Sequence, residues 1–293
     1  MTVRRLAATV PAKINLDLFV TGRRPDGLHE LDSLVVFGVV ADRIEVEEAG
    51  DLSLEVAGPF AGAVPHGESN LVLRAARTLA EWTGVEPRAH IRLDKHIPPA
   101  AGLGGGSGDA AATLRLLARL WQVRLDLPEL LDLAVRIGAD VPACVFAESV
   151  RMRGIGERLD PVRGLPDLPL VLVNPGVELP TASVFAAFAR AHAPRPADRP
   201  PLPARAPLSV FAGWLAGGRN DLEPAARSLR PEIGEVLDEL ASFERCYLAR
   251  MSGSGATCFG LFTDPASARK AAEELRARRP GWWVAAGVVE TRP

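Results

Sequence analysis

An α+β architecture in two domains follows from three features of the sequence. Apolar residues recur both at strand spacing and at helix spacing, but the two do not alternate strictly as in a doubly wound sheet. The 293 residues exceed the roughly 100–200 of one ordinary domain. The texture also changes after about residue 155, which sets the expected domains at 1–160 and 161–293.

Strands are predicted over VPAKINLDLFV (10–20), LDSLVVFGVV (31–40) and DRIEVEEAG (42–50), from partial alternation and β-branched content. Ser69 then precedes a helix whose Leu71, Ala75, Leu79 and Trp82 share a face, and Gly84 stops it. AHIRLDKHI (89–97) is a short strand closed by Pro98-Pro99. A glycine run next opens into a helix carrying Ala110, Leu114, Leu117 and Trp121 on one side, and a second helix covers 128–138. In the second half LPLVLVNPG (168–176) reads as a buried strand and 181–192 as a helix. PRPADRPPLPARAP (194–207) is an extended loop, because proline denies the backbone its donors. Helices near 207–216 and 231–242 lead to a strand–glycine turn–strand over 247–262, a helix over 266–279 and a last strand over 282–289.

Composition narrows the function. Hydrophobic residues make up 47% and charged residues 24%, the balance of a chain able to bury a core. Lys+Arg 34 against Asp+Glu 36 leaves a net charge of −2, with no basic excess to grip nucleic acid. No apolar run reaches the roughly 18 residues of a membrane span, and the N-terminal residues lack an apolar signal core, so a cytoplasmic protein is expected. Three distant cysteines and five scattered histidines offer no metal-site spacing, and no metal ligand is assigned. Only Lys13, Lys95 and Lys270 are lysine where arginine is the default cation, hinting at places that need a compact ammonium.

Chemistry first shows at Gly102-Leu103-Gly104-Gly105-Gly106-Ser107-Gly108. Glycines expose N–H groups with no Cβ in the way, and a helix N-terminus adds unpartnered donors and a positive dipole, which together suit phosphate. The pattern lacks the lysine of G-x-x-x-x-G-K-[ST] and fits no register of G-x-G-x-x-G. Its ordinary alternative is a flexible turn. Met251-Ser252-Gly253-Ser254-Gly255-Ala256 reads first as a hairpin turn, with a small anion-binding concavity as the alternative.

Taken together, Pro11-Ala12-Lys13-Ile14-Asn15-Leu16, the PPAAGLGGGSG loop and the 251–255 turn resemble the three motifs of the GHMP small-molecule kinases. Thr21 to His29 (TGRRPDGLH), Gly138-Ala139-Asp140-Val141-Pro142, Pro175-Gly176 with Thr181, and Asn220-Asp221-Leu222-Glu223 extend the likeness from about residue 8 to 263. They narrow it to members acting on a cytidine diphosphate ester of methylerythritol in non-mevalonate isoprenoid synthesis. The resemblance implies a ribosomal-protein-S5-like N-terminal domain and a ferredoxin-like C-terminal domain. It also implies transfer of the γ-phosphoryl of ATP, with Mg²⁺, to the substrate's 2-hydroxyl. ATP binding falls to Pro98, Pro99, Ala100, Ala101, Gly102, Leu103, Gly104, Gly105, Gly106, Ser107 and Gly108.

The same resemblance makes Asp140 the base that accepts the hydroxyl proton and Lys13 the cation that steadies developing charge. Without it, Asp140 would be a turn aspartate and Lys13 a solvated lysine on an edge strand. Asn15 and His29 match substrate positions, with His29 reaching the cytosine, and Phe185 is either an apolar wall for the base or a core residue. Two departures stand out. Leu28 replaces the aromatic usual before that histidine, and Gly108 replaces a second loop serine, leaving Ser107 as the sole hydroxyl there. Asp109 reads as a favourable charge at the helix N-terminus. The partners implied are ATP and a small alcohol, with a monomer or weak homodimer both open. Another GHMP kinase, or a non-catalytic ATP sensor on the same scaffold, are the alternatives.

Overall fold

The computed structural model describes residues 4–291. The chain opens with β1 (Arg5–Asn15), β2 (Phe19–Arg23), β3 (His29–Glu47), β4 (Ser53–Ala57), α1 (Leu71–Thr83) and β5 (His90–Asp94). It continues through α2 (Gly105–Leu120), α3 (Leu127–Ile137), α4 (Val141–Phe146), β6 (Val150–Gly154), β7 (Arg158–Pro161) and β8 (Leu168–Asn174). Four helices follow, α5 (Thr181–Ala191), α6 (Leu208–Ala216), α7 (Glu223–Leu229) and α8 (Glu232–Ala241). Then come β9 (Cys246–Met251), β10 (Cys258–Phe262), α9 (Pro265–Arg278) and β11 (Trp283–Val289). Backbone contacts group these into two compact units, each assembled from separated segments.

The first unit takes the chain up to Ala12, Ala41–Pro99 and Gly104–Ala147. Here β5 lies between parallel β4 and the antiparallel second half of β3, in a register that puts Ile44 opposite Leu93 and Val46 opposite Ile91. All four are buried, as strand alternation requires of one covered face. Ala110, Ala111 and Ala112 on α2 are fully buried, and such small residues let α1 and α4 pack close against that helix. Asn70, not Ser69, caps α1, its Oδ1 accepting from Val72 N (2.9 Å), while Ser69 Oγ donates to the His66 carbonyl. Gly84 ends that helix with φ +71°, and Asp126 with Glu129 forms a capping box on α3.

The second unit takes Lys13–Val40, Ala100–Leu103 and the chain from Glu148 on. β2 and β6 pair with the first half of β3, and β7 pairs with β6. A separate antiparallel sheet runs in the order β11-β8-β10-β9. That is the βαββαβ order of a ferredoxin-like domain, with α6, α7 and α8 added to the first crossover. Every residue of β8 is buried, so its unbroken apolar run is that of a central strand.

Several sequence expectations shift. The 10–20 run is two strands, because Leu16, Asp17 and Leu18 leave the ladder and Asp17 Oδ1 accepts from Leu34 N at 2.7 Å. The runs 31–40 and 42–50 are a single strand carrying an irregularity at Val39, φ +68°. Short β4, β6, β7, α4 and α7 go unannounced, each too brief for periodicity to mark.

The proline-dense 194–207 stretch forms no helix or strand, and one of its side chains fixes it in place. The Arg199 guanidinium enters between the Asp17 and Asp32 carboxylates and lies 4.7 Å over the Phe19 ring. Arg151 Nε adds a bond to Asp32 at 2.9 Å. Burial raises the Asp17 pKa from its ordinary value, and Arg199 is the largest influence opposing it. Removing one partner of a buried ion pair strands the other, at roughly 3–5 kcal/mol. Arg199→Met should therefore lower unfolding stability by about that much in urea titrations; a loss below about 1 kcal/mol would show that solvent already compensates the two acids.

Candidate active site

In the second unit the end of β1 meets two glycine turns. Lys13 N donates to the Leu103 carbonyl at 2.8 Å, and Thr257 N to the Ala101 carbonyl at 3.2 Å. The Ser252 hydroxyl accepts from Asn15 N and donates to the Gly102 carbonyl, both at 3.1 Å. Gly102 has φ +74°, and a Cβ there would stand 2.5 Å from the Ser252 carbonyl oxygen and 2.7 Å from that of Gly255. Only glycine meets both demands. The structure thus brings together Lys13, Asn15, the 100–103 half of the glycine loop and the 251–255 turn. That turn joins β9 to β10, as the hairpin reading expects, and it also packs on Gly102.

Lys13 is buried at 4% exposure, not a solvated edge lysine. Its Nζ lies 3.2 Å from Asn15 Oδ1, and the Asn15 Nδ2 donates to Ser33 Oγ at 2.7 Å. Asn220 Nδ2 donates to the carbonyls of Met251 and Gly253, and Thr181 Oγ1 meets Ser254 Oγ at 2.9 Å, so both outlying motifs brace the second turn. Elsewhere in this unit the His29 ring stacks on Phe185, centroids 5.0 Å apart and planes 23° from parallel, with Phe188 edge-on at 6.0 Å. Burial, with Arg23 beside it, lowers the His29 pKa and favours a neutral imidazole that both donates and accepts. Leu28 is half exposed beside it.

In the first unit Gly104, φ +61°, precedes α2 without any side-chain cap, so the amides of its first turn meet no protein acceptor from a capping residue. Gly105, Gly106 and Ser107 form that turn. Gly108 is tightly packed: a Cβ would stand 2.8 Å from Val10 Cγ1, which accounts for the missing second serine. Asp140 stands at the start of α4, partly exposed, and its side chain does not cap that helix. It lies in the turn that leads into α4, where the turn reading expects it, and supplies no N-cap bond. α4 packs on α2, and Cys144 Sγ lies 4.0 Å from the Gly104 carbonyl oxygen.

Asp109 is not the helix-end charge expected from sequence. It lies beyond the first turn, buried, with Oδ2 2.6 Å from Lys95 Nζ. The same ammonium is 2.5 Å from Asp42 Oδ2. Asp42 Oδ1 in turn accepts from His96 N (2.6 Å) and Ile97 N (2.8 Å), whereas Asp109 Oδ1 is buried with no hydrogen-bond partner. Burial, with the neighbouring Asp42 carboxylate adding to it against the pull of Lys95, pushes Asp109 up to about 7. Neither Asp42 nor Lys95 was assigned a role from sequence; the scarcity of lysine was the one signal.

Two family models match the chain, GHMP kinases N terminal domain over residues 70–148 and GHMP kinases C terminal over 210–280. The chain is similar to the 4-diphosphocytidyl-2-C-methyl-D-erythritol kinase of Dinoroseobacter shibae, 52% identical over 287 residues, 98% of this chain and 96% of the relative. It is likewise similar to the protein of that name from Cereibacter sphaeroides, 53% identical over 278 residues, 93% of this chain and 95% of the relative. A crystal structure of 4-(cytidine 5'-diphospho)-2C-methyl-D-erythritol kinase superimposes with a TM-score of 0.76 at 38% identity, covering 97% of this chain and 100% of its own. A crystal structure of L. major mevalonate kinase shares the fold at a TM-score of 0.69 and 14% identity, over 99% of this chain and 97% of its own.

Because the folded Asp109 holds its proton to about 7, against an ordinary 3.8, the native state binds more protons than the unfolded chain between those values. Stability should then fall as pH rises from about 4 to 7. Urea midpoints measured across that range should drop less steeply in Asp109→Asn. A variant tracking the wild-type slope would place the titration elsewhere.

Proposed function

The chain belongs to the 4-diphosphocytidyl-2-C-methyl-D-erythritol kinases of the GHMP kinase family, and we propose from the site's geometry which residues carry the reaction. It is a small-molecule kinase that phosphorylates 4-diphosphocytidyl-2-C-methyl-D-erythritol at the 2-hydroxyl with ATP, in non-mevalonate isoprenoid precursor synthesis. No helix among the described residues is long and apolar enough to cross a membrane, and the reading places the enzyme in the cytoplasm.

The acceptor hydroxyl is tertiary and a weak nucleophile, so the transfer needs a positioned base and concentrated positive charge. In the proposed mechanism the Asp140 carboxylate takes the hydroxyl proton as its oxygen bonds to the γ-phosphorus. The bond from that phosphorus to the β–γ bridging oxygen breaks, and ADP leaves with the electron pair. Lys13 stabilises the charge gathering on the hydroxyl oxygen and the transferring phosphoryl. Its burial supports this role, since an ammonium with little water around it interacts more strongly with a nearby anion. The uncapped start of α2 and the loop at 98–108 receive the phosphates. The donor that loop offers to Mg²⁺ is the Ser107 hydroxyl, a hard oxygen suited to that ion; phosphate oxygens would complete the shell, and the ion would neutralise phosphate charge.

For the acceptor, the His29–Phe185 stack suits a cytosine: a neutral imidazole reads its edge and an aromatic face lies alongside. The observation that carries the proposal is the convergence of Lys13, Asn15, Gly102 and Ser252 through direct hydrogen bonds.

Coupled ADP-release assays check it. Lys13→Ala and Asp140→Asn should each cut kcat by about 10²–10⁴-fold while thermal unfolding stays near wild type. Turnover within about threefold of wild type in either variant removes that residue from the chemistry. His29→Ala should instead raise the KM of the cytidyl ester by about 10-fold or more and leave the KM of ATP unchanged, a shift on the scale of one lost base contact.

A further inference from the structure

Lys95 sits where the two ends of the glycine loop meet. Its own backbone lies at the exit of β5, followed by His96 and Ile97, whose amides are both held by Asp42 from β3. Its ammonium reaches past the loop to Asp109 in α2. A Cβ on Gly105 would stand 2.9 Å from that Nζ and 3.1 Å from Ile97 Cγ2, so the start of α2 rests directly on the lysine tip. Lys95 and Asp109 are 2% exposed and Asp42 is 1%.

We propose that Lys95, gripped by Asp42 and Asp109, is a positioning residue that clamps both ends of the phosphate loop and fixes its amides in the geometry ATP requires. The inference rests on the reading that residues 98–108 receive the phosphates. Stability alone gives little reason for the triad, because well-packed apolar residues commonly replace buried ion clusters without loss. A run with five glycines in seven positions, by contrast, has unusual backbone freedom to lose on binding. A cation that ties the strand exit to the helix start removes that freedom beforehand, which is how preorganisation raises affinity. The clamp also explains why lysine stands here in an arginine-rich chain: the space left by Gly105 admits a compact ammonium, not a planar guanidinium fork.

The test compares Asp109→Leu with Asp109→Asn. Leucine removes the acceptor and leaves Lys95 paired with Asp42, so the buried charge balances and the fold should hold. Asparagine keeps an acceptor for the ammonium. Asp109→Leu should raise the KM of ATP by about tenfold or more with the KM of the acceptor alcohol unchanged, whereas Asp109→Asn should stay within about threefold of wild type. If Asp109→Leu does not fold, Asp42→Asn, which lies outside the loop and weakens the other grip on the Lys95 ammonium, should give the same split. Wild-type KM for ATP in the folded variant, or equal rises for both substrates, overturns the clamp. Hydrogen exchange of the wild-type enzyme with and without ATP separates the two layers. Absence of ATP protection over 102–108 fails the loop reading itself, while protection there with unaltered ATP KM in the variant fails only the clamp.

Discussion

One hydroxyl, that of Ser252, fixes the backbone on which the proposed chemistry rests. It accepts from Asn15 and donates to Gly102, so it holds the strand bearing Lys13 and half of the glycine loop to a common frame. Neither bond alone exceeds the ordinary net worth of about 1 kcal/mol. What matters is that each member constrains the next: the Lys13 amide is bonded to Leu103, its ammonium to Asn15, and Asn15 to Ser33. A side chain placed this way cannot drift far from its working position, and catalysis by positioned charge depends on that rigidity.

Charge burial is the second theme, and it is handled differently in the two units. In the second, Arg199 spreads a planar guanidinium across two carboxylates and anchors an irregular, proline-dense stretch. In the first, a lysine serves two carboxylates inside a space too tight for a fork. Each cluster carries more acid than is comfortable without water, and the strain shows as raised pKa values at Asp17 and Asp109. The hydrogen bonds in the lysine cluster are uneven: Asp42 has two backbone donors in addition to the ammonium, whereas Asp109 Oδ1 has no partner.

Much of this was legible beforehand, for identifiable reasons. Helices α1, α2, α3, α5, α8 and α9 declare themselves by periodicity and punctuation, and β8 by an unbroken apolar run. The glycine loop raised phosphate binding as an expectation from first principles, and the motif order singled out Lys13, Asn15 and Asp140 as candidates. What the residues could not disclose was long-range pairing. Nothing in LDKHI says that Lys95 will find Asp42 and Asp109, fifty-three and fourteen positions away. Nothing near Asp17 says that an arginine from the proline-dense stretch will cover it. The stack of His29 on Phe185 likewise joins two residues whose local contexts, a turn and a helix, are silent about each other.

The interleaving of the two units has a practical corollary for anyone dissecting the gene. The chain passes from one to the other five times, at the boundaries after residues 12, 40, 99, 103 and 147. β1 and β3 each contribute their two ends to different units. No single cut therefore yields a complete half, and a truncated fragment would expose orphaned strand edges ready to aggregate. Split-reporter fusions or segmental isotope labelling would have to respect that weave, joining pieces at exposed turns within one unit and never at its seams.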